Sequence, residues 1–174
     1  MLVAGVDPGT ALTGYGFVST NGQGKPVVHA YGCIKTPSTD ALPQRLVTIY
    51  EEFSRLVDEH HPDVIALERV FFNANVKTAM SVGHASGIIM LVAAQRGIEL
   101  VSYTPLEVKM AVAGYGRAEK RQIQDMVRAI LGLQQRPSPD DVADALAIAL
   151  CHLSTAPFRS RVENATQSTQ RRSE

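Results

Sequence analysis

Leu2-Val3-Ala4-Gly5-Val6-Asp7, at the start of the chain, and Val64-Ile65-Ala66-Leu67-Glu68, near its middle, share one pattern: an apolar run that ends in a single carboxylate. Runs without polar alternation are what strands covered on both faces look like. In open sheets flanked by helices, ligands bind outside the carboxyl ends of the strands, so the two acids converge if their strands are neighbours. Two ionised carboxylates held close repel, and each is costly to desolvate; a cation between them offsets both penalties. Oxygen-only ligands point to Mg²⁺ or Mn²⁺. Taken singly, each acid has a plainer reading: Asp7 as a turn former before Pro8-Gly9, and Glu68 as a strand-end charge paired with Arg69 in solvent.

Outward from these runs, Thr13 to Ser19 and Val27 to Ile34 also read as strands, separated by the turn signal Asn21-Gly22-Gln23-Gly24. Leu46, Ile49, Tyr50, Phe53, Leu56 and Val57 recur at helical spacing within a segment from Leu42 to His60 that Pro62 ends. A second helix is predicted from about Val76 to Arg96 and a fifth strand from Glu99 to Tyr103. Three more helices follow: one starting near Pro105, one from Ala118 to Leu131, and one opened by Ser138-Pro139 and continuing to about Leu153. The order predicts an α/β fold, a mixed five-stranded sheet whose first three strands are antiparallel, with helices on both faces. Residues 1–155 form the expected domain. From Pro157 the chain is rich in Ser, Thr, Gln and Arg, and the tail 156–174 is expected to be disordered.

A chain of 174 residues suits one domain with a full core. Hydrophobic residues make up 45% and charged residues 20%, a soluble globular profile, and no apolar stretch reaches the roughly 20 residues of a membrane span. The first residues enter a strand-like run without a basic leader, so a cytoplasmic location is expected. Cys33 and Cys151 lack paired spacing, which argues against a disulfide framework or a zinc site. The formal net charge is zero, so any case for a nucleic-acid partner rests on local clustering.

Ser138-Pro139-Asp140-Asp141 is a helix-opening signature, with Ser138 as cap and Pro139 as the first helical residue. Capping accounts for Asp140 and Asp141 but not for Asp144. Val142, Leu146, Ala149, Leu150 and Leu153 make an apolar stripe, and Ala143, Ala145, Ala147 and Ile148 leave little polar surface elsewhere. Asp144 therefore calls for a buried partner. At a spacing of three, Asp141 and Asp144 share a helix face and can aim together at Asp7 and Glu68. Four carboxylates from three segments can hold two hard cations about 3.5 to 4 Å apart, the arrangement that activates water in phosphodiester hydrolysis. Whether Asp140 or Asp141 joins the set stays open.

At this point the residues resemble the RuvC family of Holliday-junction resolvases within the RNase H-like superfamily. The matching segments are Ala4-Gly5-Val6-Asp7-Pro8-Gly9, Glu68-Arg69-Val70-Phe71-Phe72 with Asn75, Val108 to Gly114, Ala118-Glu119-Lys120, and Asp141 to Ala149, in family order from residue 1 to about 155. Arg69 departs from the Gln or Glu expected after the catalytic Glu, and some relatives carry a His in place of Asp141. The resemblance implies a homodimer that nicks two strands of like polarity across a four-way DNA junction, with Mg²⁺, in recombination and repair alongside the RuvA-RuvB branch-migration complex. It implies that Asp7, Glu68, Asp141 and Asp144 are the catalytic metal-binding acids.

Between Pro105 and Arg136 the basic residues Lys109, Arg117, Lys120, Arg121, Arg128 and Arg136 outnumber Glu107, Glu119 and Asp125. Lys120 follows Gly114-Tyr115-Gly116 in a first helical turn where it could face a phosphate. The resemblance favours DNA contact by Lys109 and Lys120, with Arg117 and Arg121 nearby; a solvated helix face is the other reading for Arg121 and Arg128. It also places on Phe71 a ring that stacks on an unpaired base. Ala79, Gly83 and Gly87 recur every four residues, which suits either tight packing on the sheet or a two-fold interface; the resemblance points to the interface. The histidines show no ligand spacing. Asp7-Pro8-Gly9-Thr10 with Thr13-Gly14 is also similar to the first phosphate loop of actin-like and sugar kinases, although those need two domains. A single-domain RNase H-like nuclease acting on RNA and a non-catalytic junction-binding protein are further alternatives.

Overall fold

The computed structural model describes residues 1–69 and 76–170, with side chains described for 1–69 and 79–156. Phe71, Phe72 and Asn75 lie outside the described residues. In chain order the elements are β1 Leu2–Asp7, β2 Leu12–Thr20, β3 Pro26–Lys35, α1 Leu42–His60, β4 Val64–Glu68, α2 Val76–Arg96, β5 Glu99–Tyr103, α3 Pro105–Ala113, α4 Lys120–Leu131 and α5 Asp140–Gln170. The strands form one sheet in the order β3-β2-β1-β4-β5. β1 and β2 pair antiparallel, as do β2 and β3, whereas β4 runs parallel to both β1 and β5.

The parity of the strands decides where the acids point. Val3 belongs to the core under α5, and Ala4 and Val6 belong to the core under α1 and α2. Because side chains alternate along a strand, Val3, Gly5 and Asp7 share the α5 face. The same count on β4 puts Ala66 in the α5 core and Ile65 and Leu67 in the other, which leaves Glu68 on the α5 face. The register Val6↔Leu67 sets the next pair of residues, Asp7 and Glu68, side by side at the carboxyl ends of adjacent strands. The neighbour relation that the sequence pattern required is present.

α5 lies directly on this face. A Cβ added to Gly5 would come within 3.0 Å of the Ala145 carbonyl oxygen and the Ala149 nitrogen, and one added to Gly14 would strike the Asp141 carbonyl. At Gly16 the added atom would meet the Leu146 side chain. The helix backbone and the sheet backbone therefore touch, with alanines facing glycines. That contact accounts for the buried run Val142, Ala143 and Ala145 to Leu153, interrupted only by Asp144.

Two helix starts differ from the sequence expectation. α4 begins at Lys120, because Glu119 is extended (φ −72°, ψ 155°) and forms a capping box with Gln122. α5 begins at Asp140 rather than Pro139; the Pro139 carbonyl accepts from the Val142 N–H at 3.0 Å, so Asp140 and Asp141 are its first two residues. At the other end, Leu153 is the last residue in either core among the described side chains, while the helix backbone continues to Gln170. Extending a nucleated helix costs little even without packing partners.

Gly5→Ala is expected to lower the urea midpoint by an amount equivalent to about 2–3 kcal/mol, since a methyl group has no space between two backbones. An unchanged midpoint would show that α5 shifts freely on the sheet.

Candidate active site

β1 delivers Asp7, β4 delivers Glu68, and the first two turns of α5 deliver Asp140, Asp141 and Asp144. Carboxylates near a helix N-terminus are favoured by its dipole, so α5 tolerates three acids there without distortion. Lys120, the first residue of α4, has no such favour: a cation beside the positive end of a helix is disfavoured. Its ammonium lies 3.1 Å from Asp144 and 3.3 Å from Asp140, and these ion pairs offset that cost. The partner of Asp144 is thus a lysine from a neighbouring helix, and the pair is not buried as the sequence led us to expect: the Lys120 side chain is 55% exposed and that of Asp144 34%, because the first turns of α5 open onto the cleft.

Glu68, Lys109, Lys120 and Asp144 line a cleft of about 230 Å³ whose other wall is apolar, formed by Pro105, Val108, Ile123 and Ile148. Arg69 holds the end of β4 in place through its N–H, which donates to the Tyr103 carbonyl at 2.7 Å. Thr104 then caps α3 in a capping box with Glu107, which fixes the helix that bears Lys109. Asp140 is engaged on its other side, accepting from Gln124 Nε2 at 2.8 Å.

Burial pushes the Asp7 carboxyl up to about 7, helped by the charges of Asp144, Glu68 and Asp141 and opposed by Lys120. Glu68 and Asp144 are also raised, chiefly by burial; Asp144 acts on Glu68, and Lys120 pulls both acids back down. Asp7 thus shares one electrostatic field with Glu68, Asp141 and Asp144. Among the described residues no group of three or more His, Cys, Asp or Glu side chains is gathered so as to hold a metal ion. The two observations concern different ranges: charge coupling extends over several ångströms, while coordination requires closure to about 2.0–2.6 Å. The donor set itself fits a hard divalent cation, being all oxygen, with an acid driven towards neutrality and an ammonium already seated against Asp144.

Lys109 and Lys120 thus lie in the cleft, whereas Arg117 and Arg121 are exposed beside it on the α3–α4 side. Gly83 and Gly87 are exposed on α2 with nothing within 4 Å of an added Cβ, so tight packing on the sheet is not their role; Ala79 is 7% exposed. In the sequence Gly5 and Gly14 stood out only as parts of motifs and Gly16 not at all, so the packing role of the three was missed. Their signal was present as small residues facing small residues, glycines at alternate positions of β2 and alanines along α5, but it becomes readable only once α5 is known to cross those strands.

The family model for the crossover junction endodeoxyribonuclease RuvC matches residues 3–152. The chain belongs to the RuvC family. The RuvC of Alkaliphilus oremlandii is 53% identical over 158 residues, covering 91% of this chain and 96% of that one. The RuvC of Moorella thermoacetica is 53% identical over 162 residues, covering 92% and 96%. The structure of Thermus thermophilus RuvC in complex with a Holliday junction superimposes with a TM-score of 0.85 at 36% identity, covering 91% of this chain and 96% of that one. The RuvC match spans every segment that supplies an acid to the cleft.

The raised Asp7 makes stability pH-dependent in metal-free protein. Its carboxyl titrates near 3.8 when unperturbed and about 7 when folded, so the native state binds the extra proton and stability falls as pH rises between those values. Asp7→Asn should therefore melt higher than wild type above pH 7, by on the order of a few degrees, with the difference shrinking towards pH 4. Melting curves in a chelator at several pH values check this, and parallel profiles would contradict it. Added Mg²⁺ should raise the wild-type midpoint at pH 8 and leave Asp7→Asn nearly unmoved.

Proposed function

We infer that this chain is a Holliday-junction resolvase, a metal-dependent endonuclease that cuts four-way DNA by paired nicks in strands of like polarity during recombination and repair. The observation that carries this reading is the convergence of Asp7, Glu68 and Asp144 on one face of the sheet in a chain of the RuvC family. Asp7, Glu68, Asp141 and Asp144 would hold Mg²⁺, or Mn²⁺, as a pair of ions that supplies a nucleophile at neutral pH and stabilises the leaving oxygen. Asp141 is preferred to Asp140 because its charge acts on Asp7, whereas Asp140 accepts from Gln124.

The remaining work falls to the chain's own cations and walls. Lys109 and Lys120 bring positive charge to a cleft that Glu68 and Asp144 also line, which a phosphodiester needs in order to enter. Val108, Ile123 and Ile148 exclude water from one side and strengthen the electrostatics within. The Asp7-Pro8-Gly9 loop is closed on itself, with the Thr13 hydroxyl donating to the Gly9 carbonyl at 2.8 Å and the Thr10 hydroxyl bonded to Ser81 at 2.5 Å. Those groups are used internally, which weighs against a phosphate loop of the kinase type. Phe71 keeps its role as a stacking ring, and RuvA-RuvB its place as a partner, on the family resemblance. No helix among the described residues is long and apolar enough to cross a membrane, and a cytoplasmic location rests on the family resemblance.

The homodimer is carried by α2. Met80, Gly83, Gly87 and Met90 are exposed and placed symmetrically about Ala85, so a two-fold crossing of two such helices sets methionine knobs near glycine gaps. Beside them Leu67, Arg69 and Ser86 line a groove of about 320 Å³ that also reaches Glu68. An isologous dimer of this kind matches a junction that is itself two-fold.

With a synthetic four-way junction, a linear duplex and a structured RNA as substrates, wild type should give paired Mg²⁺-dependent nicks confined to the junction. Glu68→Gln should lower the rate by at least about a hundredfold. RNA cleavage or cation-independent cutting would overturn the reading. Gly83→Leu, placed in open space, should keep the fold and sediment as a monomer; a dimer of unchanged affinity would remove α2 from the interface.

A further inference from the structure

Tyr115 stands in the connection between α3 and α4, 46% exposed, yet its ring is held in place. Its hydroxyl donates to Gln122 Oε1 at 2.8 Å, and the same oxygen accepts the Glu119 N–H at 2.8 Å. The ring is therefore tethered to the first turn of α4, the turn from which Lys120 enters the cleft. Beside it, Leu106 and Met110 are 59% and 49% exposed, one helical turn apart on α3, with Gly116 packed against Leu106. Between them in sequence, Lys109 faces the cleft. An apolar surface with one fixed aromatic ring thus borders the active site at both of its lysines.

Water-exposed apolar groups of this size next to a catalytic cleft call for an occupant, and the charge around them says which. Lys109 and Lys120 line the adjoining cleft, and Arg117 and Arg121, which flank the start of α4 in the chain, are exposed; of the acids, Glu107 and Glu119 cap α3 and α4, while Asp140 and Asp144 are paired with Lys120. A polyanion with flat apolar faces, which describes a DNA strand, satisfies both features. We propose that Tyr115, held to α4 by Gln122 and next in the chain to the Gly116–Leu106 contact, packs against the base or deoxyribose of a junction nucleotide flanking the bond that is cut. This rests on the nuclease reading. Tyr115 is a binding residue that extends the contact surface beyond the acids, with the cations of α3 and α4 taking the phosphates on either side.

The chain contains no tryptophan, so Tyr115→Trp places a single reporter at the site. In metal-free buffer, its fluorescence should be quenched as a synthetic four-way junction is added, as expected for an indole stacked on a nucleotide. Tyr115→Ala should raise the Kd for the junction by roughly five- to fifty-fold. The slope of log Kd against log salt should be unchanged, since no charge is removed, whereas Arg117→Ala should flatten it. Unchanged junction affinity in Tyr115→Ala, or an indole signal indifferent to DNA, would overturn the proposal and leave the nuclease reading intact. Failure of wild type to cut the junction with Mg²⁺ would overturn the nuclease reading instead, and the metal-free binding measurements read Tyr115 independently of that outcome.

Discussion

The contact between the α5 backbone and the glycines of β1 and β2 is the constraint on which the rest depends. Side chains ordinarily stand between a helix and the sheet it covers and keep the two backbones apart. Here Gly5, Gly14 and Gly16 remove that spacer, and Ala145 and Ala149 remove it from the other side. The consequence reaches the site directly. The Asp141 carbonyl lies over Gly14, which pairs with Asp7 in the β1–β2 ladder. A helix held further out would carry Asp141 and Asp144 away from Asp7 and Glu68, and the four acids would no longer share a field. Packing at small residues and chemistry at acidic ones are therefore one arrangement.

That closeness has a cost, and the chain offsets it locally. Burial and mutual repulsion raise Asp7, Glu68 and Asp144. Lys120 relieves part of this by pairing with Asp144 and Asp140, and its own ammonium is raised: burial lowers it, but the two aspartates more than compensate. Such a pair, partly exposed, contributes little to global stability. Its significance lies in position. Lys120 sits where a cation is wanted by the acids and where a phosphate would want one too, so a single side chain serves the cluster and the substrate path.

Much of this was legible in the sequence, and the limits have physical causes. Apolar runs ending in Asp7 and Glu68 predicted strands covered on both faces, because alternation fails only there, but that β1 and β4 are neighbours came from the sheet register. The spacing of Asp141 and Asp144 on an otherwise apolar helix predicted that Asp144 needs a partner, although the identity of Lys120 lay beyond reach: contacts between distant segments leave no periodic trace. Helix starts were off by one or two residues, because Glu119 is not a preferred capping type and caps through Gln122, and because Pro139 stands just outside α5. The Asp7-Pro8-Gly9-Thr10 stretch allowed a phosphate-loop reading until its hydroxyls proved to be engaged within the protein.

Glycine shows most clearly what sequence leaves undecided. Gly5, Gly14 and Gly16 lie among apolar residues, and so do Gly83 and Gly87. The first three fall on strands and the last two on a helix at a spacing of four, but that difference does not say which of them meets another backbone. In the fold they have opposite environments: a side chain at the first three would collide with α5, while one at the last two would meet open space. The first group lets the chain close on itself around the acids. The second leaves shallow gaps on an outer helix whose exposed methionines, Met80 and Met90, are the size to fill them. One residue type thus builds the internal contact that brings the acids together and, on the far face of the sheet, leaves open space along α2. Only the added-Cβ environment, a three-dimensional property, separates those meanings.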